Sequence, residues 1–466
     1  MKTSISIAIA VIVACFAASA SAPAESTLRV GAAKVDVTRW SSLPAVTPKY
    51  ENERVNVRAI VIDNGTTRAA LISVPGSDFN WPEISKQVSA ELNCPVEHIL
   101  VSATHSHSYN TARIDPNAAS QDPLTLAVVE AVKQAKAKLE PARMGFGTGK
   151  AYLNVNRDTI MPETRKWGQF SNLDAPSDKT VSVLKFEAPG GGLIAAYVSY
   201  EMHPINAYAV NITSGDFPEA MSRYVEKAFS DDAIVAFGLG SAGDQNPLYL
   251  RPSTNVMASR AGNTITGYEM NRETSEGPLR VTGSDKKPLI TKPADPQAAD
   301  DLLRFIESEG AILGEEVIRV MTWDTDTTTE ARIGGLSKTV ICPGRKRTNG
   351  DKMDPLTREG IEGVYVDGPP IHISVGVLGI GTVALVPIGE ETYDQIGEEA
   401  KAAAPLKSTV LITLADERAN SGYIPDDASF NHQTFQALNS NLKPGCAETA
   451  IVNAIRDLET EYFNGH

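Results

Sequence analysis

The chain has 466 residues and a formal net charge of −14, with 42% hydrophobic and 21% charged residues. This composition is typical of a globular protein with an ample core and unlike that of disordered or collagen-like chains. A strongly acidic surface repels phosphate backbones and anionic membranes, and no run of Lys or Arg offsets it, so we expect no nucleic-acid partner.

The first residues have the pattern of a secretory signal peptide. A positively charged start precedes an apolar run over residues 5–18, and small residues that suit a cleavage site follow. We therefore predict a signal peptide at residues 1–22, a mature chain that begins near Pro23, and a secreted or periplasmic location. Cys15 lies in a stretch that resembles a lipoprotein box, but more apolar residues follow it, so lipid anchoring is the less favoured alternative. No later run is long enough to be a transmembrane segment.

The mature chain, residues 23–466, contains no linker, repeat or low-complexity tract that would divide it, so a single large domain is predicted. Apart from Cys15, its cysteines are Cys94, Cys342 and Cys446. This odd number, without a Cys-x-x-Cys motif, permits at most one internal disulfide and leaves one thiol over. Cysteine chemistry is therefore not expected to be the function.

The first part of the chain predicts an α/β unit. Residues 57–74 are predicted to form two strands joined at residues 63–65, because Asn-Gly supplies the positive φ angles of a tight hairpin. A helix with apolar residues four apart follows Pro82, and a short buried strand follows over residues 99–101. The order strand, helix, strand predicts an α/β fold with a mixed β-sheet core and flanking helices.

This buried strand leads to two histidines one residue apart, His105 and His107. Side chains at i and i+2 of an extended chain lie on the same side, so both rings can face one point. A histidine after a strand often only hydrogen-bonds to the backbone, but the chain has just seven histidines. The pair therefore favours a metal site.

Other predicted strands also lead to polar groups. A hairpin over residues 181–200 leads to His203, and an apolar run over residues 233–239 leads to Asp244 and Asn246, whose side chains offer oxygens. The sequence around Asp244 and Asn246 would also suit a plain turn.

Ser214 and Asp216 stand at a helix start. The backbone N–H groups there could hold a polar substrate group, although a plain helix start is the alternative. In the next predicted helix, from Leu302 toward Val320, Gly310 and Gly314 are expected to be weak points.

In the last third, strands over residues 373–386 lead to Glu390 at a strand-to-helix turn, while Glu391 is interpreted as a solvated carboxylate at the helix start. A strand over residues 409–414 precedes the segment that contains Tyr423. Residues 250–295 are polar and rich in turn formers, and are interpreted as a surface region that could overhang the site.

Taken in order, these segments resemble the catalytic N-terminal domain of the neutral and alkaline, non-lysosomal ceramidases, a family of zinc amidases. The motifs that carry the resemblance are, in this sequence, Gly31-Ala-Ala-Lys-Val-Asp-Val-Thr38, Ala103-Thr-His-Ser-His-Ser108, Asn156-Arg157, His203-Pro204, Ser214-Gly-Asp216, Gly243-Asp244, Pro387-Ile-Gly-Glu390, Gly422-Tyr-Ile424 and Pro444-Gly-Cys-Ala-Glu448.

The resemblance implies a site for one Zn²⁺ per chain, held by the matching positions His105, His203, Glu390 and Tyr423. Phenolate ligation is unusual, so Tyr423 is the exception in this set. The resemblance further implies the catalytic residues His107 and Arg157. Substrate-binding positions are taken to be Ser214, Asp216, Asp244, Asn246 and Phe435.

Three features depart from the family pattern. Asn246 stands where the family has a serine, which excludes a serine nucleophile there. Phe435 stands where ceramidases have a pocket tyrosine, which removes a hydrogen bond to substrate. The chain also ends soon after the Pro444-Gly motif, without the family's immunoglobulin-like C-terminal domain. Ceramide itself is therefore one candidate among several substrates.

The leading hypothesis is an exported zinc-dependent hydrolase that cleaves the N-acyl amide bond of a small-molecule or lipid substrate. One alternative is a zinc esterase or lactonase on the same fold, and another is a secreted binding protein without catalysis. A metallo-β-lactamase fold would need an Asp where Tyr109 stands, and an amidohydrolase barrel would need more histidines late in the chain. The sequence makes no prediction of oligomeric state.

Overall fold

The structure is a computed structural model that describes residues 28–43, 54–77, 79–110, 122–161, 165–207, 212–230, 232–250, 296–349 and 362–464. The predicted signal peptide, with Cys15, lies outside the described residues, as does the 250–295 region apart from Leu250.

Within these residues the chain forms strands and helices in a mixed order. The strands are β1 Arg29–Asp36, β2 Asn56–Asp63, β3 Arg68–Val74, β4 Ile99–Ala103, β5 Glu140–Pro141, β6 Arg143–Lys150, β7 Asn154–Ile160, β8 Trp167–Asn172, β9 Thr180–Glu187, β10 Leu193–Tyr200, β11 Ile234–Leu239, β12 Gln245–Pro247, β13 Thr327–Thr328, β14 Ile333–Arg347, β15 Tyr365–Ile380, β16 Val383–Ile388 and β17 Thr409–Thr413. The α-helices are α1 Trp81–Leu92, α2 Pro123–Ala137, α3 Asp216–Phe229, α4 Pro296–Trp323, α5 Asp394–Ala403, α6 Phe435–Asn439 and α7 Ala447–Asn464. The predicted α/β class, with mixed sheets and flanking helices, is confirmed.

The strands form several sheets, whose strand orders are β4-β3-β2-β1-β5, β11-β10-β9-β6-β13, β12-β7-β8 and β14-β15-β16-β17. Each of the three larger sheets contains one parallel pair, namely β3 with β4, β10 with β11, and β16 with β17. Ligand sites in α/β folds form where parallel strands end and the chain changes direction. The segments that follow β4, β10, β11, β16 and β17 therefore occupy the position in which a site is expected.

The first α/β unit agrees with the sequence prediction. Strands β2 and β3 form an antiparallel hairpin that closes with Asp63 opposite Arg68, and Gly65 takes the expected positive φ, at 85°. The side chain of Asn80 caps α1 by accepting a hydrogen bond from the backbone N–H of Glu83. Local turn and cap chemistry therefore sets the boundaries of these elements.

The core has three main parts, each of which joins different layers. One lies between the first two sheets and helices α1, α2, α3 and α4. A second joins the first two sheets to the β14–β17 sheet, and a third lies between that sheet and helices α5 and α7. Because the β14–β17 sheet contributes to two of these parts, it brings late segments of the chain against the strands that carry the histidines.

Helix α4 is continuous through Gly310 and Gly314, which were expected to be weak points. A Cβ added at Gly310 would lie 2.5 Å from the Cβ of Ala220, and one at Gly314 would lie 2.7 Å from the Cδ1 of Tyr224. The glycines therefore allow close packing of α4 against α3. The cost of two glycines inside a helix is offset by this packing, which the apolar periodicity of the sequence does not reveal.

No helix in the described part of the chain is long and apolar enough to cross a membrane. Cys342 of β14 and Cys446, just before α7, form a disulfide that links residues 104 apart in the sequence, and Cys94 is free. This arrangement matches the single bridge and leftover thiol that the cysteine count allowed.

We expect the Cys342→Ser variant to lose about 2–4 kcal/mol of unfolding free energy, because a bridge across a long loop restricts the unfolded chain. Guanidinium unfolding of the wild type with and without reductant should show the same loss. Cys94→Ser is the matched control and should leave the difference between oxidised and reduced protein intact. Equal midpoints for oxidised and reduced wild-type protein would contradict the prediction.

Candidate metal centre

His105 and His107 meet as predicted, although the backbone between them is not extended. Their Nε2 atoms lie 3.2 Å apart. His105 has a positive φ of 62°, and its N–H donates to the carbonyl of Gly76 at 3.0 Å. The chain therefore turns sharply at His105, and this turn brings the two rings together.

His203 follows β10 and its side chain is fully buried. Its Nδ1 lies 2.6 Å from the carbonyl oxygen of Ala242 and 3.2 Å from that of Gln245. Because carbonyl oxygens only accept hydrogen bonds, Nδ1 carries the hydrogen, and the lone pair of a neutral ring is on Nε2. The turn that follows β11 thus fixes the tautomer of His203.

A carboxylate completes this cluster, and it belongs to Glu391. Its Oε2 lies 3.1 Å from Nε2 of His203 and 3.4 Å from Nε2 of His105. Burial opposes the shift, but the two histidines hold the pKa of Glu391 well below its usual range. Glu391 is only 7% exposed, so its interpretation as a solvated helix-start carboxylate is wrong.

Glu390, the predicted metal ligand, makes a different contact. Its Oε1 accepts a hydrogen bond from Arg418 at 2.8 Å. Thr392 forms a parallel bridge with Ile424, whose N–H donates to the carbonyl of Glu391 at 2.8 Å. Glu390 and Glu391 therefore have different surroundings, although they are adjacent in the sequence. The contact with the histidines is made by Glu391, where the sequence analysis placed Glu390.

The donor atoms of this cluster fit a metal ion. His105, His107 and His203 each offer a ring nitrogen within 4.8 Å of the others. Neutral Nε2 of His203 and carboxylate Oε2 of Glu391 are both acceptors, so their 3.1 Å contact requires a proton or a cation between them. Burial lowers the pKa of His203, and the charge of Arg157 lowers it further, although Glu391 opposes this. The lowered pKa favours the neutral ring, whose Nε2 lone pair can bind a cation.

The observed spacings match those around a single ion. Donor atoms bound about 2.0–2.1 Å from a tetrahedral ion lie about 3.3 Å from one another. Oε2 of Glu391 lies 3.1 Å from Nε2 of His203 and 3.4 Å from Nε2 of His105. Nitrogen and carboxylate donors at this spacing are suited to zinc and to other divalent first-row metals.

Arg157 lies next to the cluster and its side chain is fully buried. It donates to the carbonyl oxygen of Gly243 at 2.6 Å and to Oδ1 of Asn246 at 3.3 Å. Its guanidinium carbon lies 5.8 Å from the ring centre of Tyr423, which in turn makes an edge-to-face contact with Phe435 at 5.8 Å. These four predicted site residues are therefore brought together, and their roles stay predictions.

The carboxylate of Asp244 contacts two polar groups outside the histidine cluster. It accepts from the side chain of Asn156 at 2.6 Å and from the backbone N–H of Asp394 at 2.9 Å. Burial and the nearby Asp394 raise the pKa of Asp244 well above its usual value. In the structure Asp244 holds two elements together, and its predicted substrate contact stays a prediction.

Ser214 and Asp216 connect the two histidine loops. Ser106 donates to the carbonyl of Ser214 at 2.7 Å, and Asp216 accepts from the side chain of Asn206 and the backbone of Ala207, each at 2.8 Å. The backbone N–H groups of Asp216 and Phe217 donate to Oγ of Ser214 and to the carboxylate of Asp216. These two N–H groups are therefore not free for a substrate, contrary to expectation.

Two residues that matter for the site were missed by the sequence analysis. Glu391 was assigned to solvent, and Asn206 was not considered although it ties the loop after His203 to Asp216. The available signal for Asn206 was a polar residue in the apolar stretch that follows His203. Only the three-dimensional contact gives that residue its significance.

The comparisons with known proteins give a fold. A scan against protein-family models found no match, and neither did a search of curated proteins. Among solved structures, one titled "Ceramidase complexed with C2" matches with a TM-score of 0.65 and 16% identity, over 94% of this chain and 75% of that one. The neutral ceramidase from Pseudomonas aeruginosa matches with a TM-score of 0.63 and 15% identity, over the same shares of 94% and 75%. Identity this low establishes the fold alone, so we conclude that the chain has the fold of these ceramidases.

Proposed function

We propose that the chain is a zinc-dependent hydrolase that cleaves the amide bond of ceramide-like or other N-acyl substrates. The observation that carries the proposal is the cluster of three histidine nitrogens and one carboxylate oxygen where strands of three sheets end. The fold shared with ceramidases adds to it. Export is part of the proposal and is supported by the predicted signal peptide and by the Cys342–Cys446 disulfide.

His105, His203 and Glu391 are proposed to hold the ion, and the resemblance to ceramidases adds Tyr423. Glu391 replaces Glu390 in this set because it has the contacts with both ring nitrogens. Two of the three histidines are buried, as suits ligands of a fixed ion. A zinc ion bound in such a site polarises a carbonyl and makes water a better nucleophile at neutral pH.

His107 is the more exposed member of the histidine cluster, and this supports a role toward substrate. Its Nε2 can donate a hydrogen bond to the carbonyl oxygen as that atom gains charge, or give a proton to the departing amine. Arg157, whose charge acts on His203, is proposed to hold a polar group of the substrate. Its charge is fixed and its position is set by two hydrogen bonds.

His107→Gln is expected to lower kcat for amide hydrolysis about 10²–10⁴-fold while the metal content stays near that of the wild type. The reason is that general acid–base catalysis contributes on this scale, whereas the proposed ligands stay in place. Steady-state kinetics and mass-spectrometric metal analysis of the same preparation check both parts. Loss of the metal would instead make His107 a ligand, and an unchanged kcat would remove it from the mechanism.

The experiment that tests the proposed function combines metal analysis with hydrolysis of a substrate panel. The mature protein is assayed for bound metal, then for cleavage of ceramide, simpler N-acyl amines and matched esters, before and after chelation. We expect about one zinc per chain and amide cleavage that chelation abolishes and zinc restores. Faster ester cleavage would favour the esterase alternative, and bound metal without any cleavage would favour a binding protein.

A further inference from the structure

The side-chain amide of Asn246 has a defined orientation. Its Oδ1 accepts a hydrogen bond from the guanidinium of Arg157 at 3.3 Å. Arginine has only donors, so the oxygen must face Arg157 and the amide nitrogen must face elsewhere. The orientation of the amide thus follows from its contact.

The amide nitrogen of Asn246 is buried and has no hydrogen-bond partner among the described residues. The residue is only 3% exposed. A buried N–H group without an acceptor is costly, and native proteins retain few of them without a functional reason. The amide nitrogen of Asn246 can therefore donate a hydrogen bond to an acceptor atom of a bound ligand.

Asn246 is held by the same turn that holds His203. The carbonyls of Ala242 and Gln245 accept from the ring of His203, and Asn246 is the next residue, in β12. Arg157 lies beside the amide, and its charge acts on His203. The unused donor is therefore rigidly attached to the proposed metal centre and stands beside a fixed positive charge.

We infer that Asn246 determines specificity by donating a hydrogen bond to a carboxylate on the amine portion of the substrate, so that N-acyl amino acids are the substrate class. This inference rests on the proposed function and names its substrate. Hydrogen bonds to a carboxylate are stronger than those to a hydroxyl, and a nearby guanidinium favours an anion further. Phe435, on the other side of Tyr423, offers no hydrogen bond to a neutral headgroup.

The test uses two substrates with the same acyl chain, N-dodecanoylglycine and N-dodecanoylethanolamine. The first carries a carboxylate at the position where the second carries a hydroxymethyl group. Asn246→Asp keeps an oxygen for Arg157 and removes both N–H donors, and Asn246→Leu removes the donors without adding charge. The zinc-loaded wild type should prefer the glycine conjugate in kcat/KM. Both variants should lose on the order of 10–100-fold of kcat/KM on it, mainly through KM, and much less on the ethanolamine conjugate.

Binding of both compounds is measured in parallel by calorimetry, and the metal content and thermal midpoint of each variant are recorded. Weaker binding of N-dodecanoylglycine by both variants, with unchanged metal content, supports the role of Asn246. If neither the wild type nor the variants hydrolyse this compound, the proposed function fails, but the binding result still supports the inference. The inference is overturned if the wild type handles both compounds equally, or if the variants keep the wild-type preference. Equal losses of kcat on both substrates would show a merely structural role and would also overturn it.

Discussion

His203→Ala is expected to abolish metal binding and to lower amide hydrolysis by at least about 10³-fold, because polarisation by a metal supplies several kcal/mol of transition-state stabilisation. The ring of His203 is held in place by its second nitrogen. Its Nδ1 donates to the backbone carbonyl of Ala242 at 2.6 Å, and this hydrogen bond orients Nε2 toward Glu391. Alanine removes this ring nitrogen from a cluster in which the proposed ligands are few. Metal content per chain and initial rates on an N-acyl amine are the measurements.

The matched control is His372→Ala, which removes an exposed histidine of β15 and should change neither metal content nor rate. Circular dichroism and the thermal midpoint show whether His203→Ala still folds. A folded His203→Ala protein that holds one metal ion and keeps the wild-type rate would remove the histidine cluster from the function.

Sequence reasoning located the histidine pair because strand periodicity and residue spacing are local properties. His105 and His107 follow β4, and the strand prediction was sufficient to place them together. The prediction assumed an extended chain, whereas the backbone turns at His105 with a positive φ of 62°. The conclusion survived because the turn also brings the rings together, at an Nε2 separation of 3.2 Å.

Motif matching could not identify which glutamate contributes the carboxylate of the cluster. Glu390 and Glu391 are chemically identical and adjacent, so no composition or motif argument decides which of them faces the histidines. In the fold the two residues contact different groups, and their segment pairs through Thr392 with Ile424, 32 positions later in the sequence. Such pairing depends on the register of a distant segment, and a single sequence contains no direct signal for it.

The roles of Ser214 and Asp216 could not be predicted for a related reason. Capping patterns identify a helix start, and α3 does begin at Asp216. They do not show that the loop after His203 returns to this helix start, where Asn206 donates to Asp216 at 2.8 Å. These long-range contacts make Asp216 a support for the site, and the substrate contacts of Ser214 and Asp216 stay predictions.

Arg58→Met is expected to lower the unfolding free energy by about 3–5 kcal/mol, because it removes the guanidinium group that pairs with two buried carboxylates. Arg58 of β2 is 3% exposed and its guanidinium contacts Glu219 at 2.7 Å and Glu226 at 2.9 Å, both on α3. Burial opposes the shift, but Arg58 and Lys34 hold the pKa of Glu226 below its ordinary value. Denaturant unfolding at pH 7 measures the loss.

The pH dependence of this loss follows from the sign of that shift. The stability contributed by Glu226 is fully present above its unfolded pKa of about 4.3 and is lost as the pH falls through its lower folded pKa. In the variant the buried carboxylate lacks Arg58, so protonation relieves the penalty instead. The difference between wild type and Arg58→Met should therefore be largest near pH 7 and shrink toward pH 3.

Arg54→Met is the control, since Arg54 pairs with Asp36 at 2.8 Å while both side chains are largely solvent-exposed. Exposed ion pairs contribute about 0–1 kcal/mol, so this variant should unfold nearly as the wild type does. Equal losses for Arg58→Met and Arg54→Met, or a loss at Arg58 that does not change with pH, would contradict the assignment. A large loss confined to Arg58 would identify the ion cluster that joins β2 to α3 as a main contribution to the stability of the fold. Helix α3 begins at Asp216, which accepts hydrogen bonds from the loop of His203.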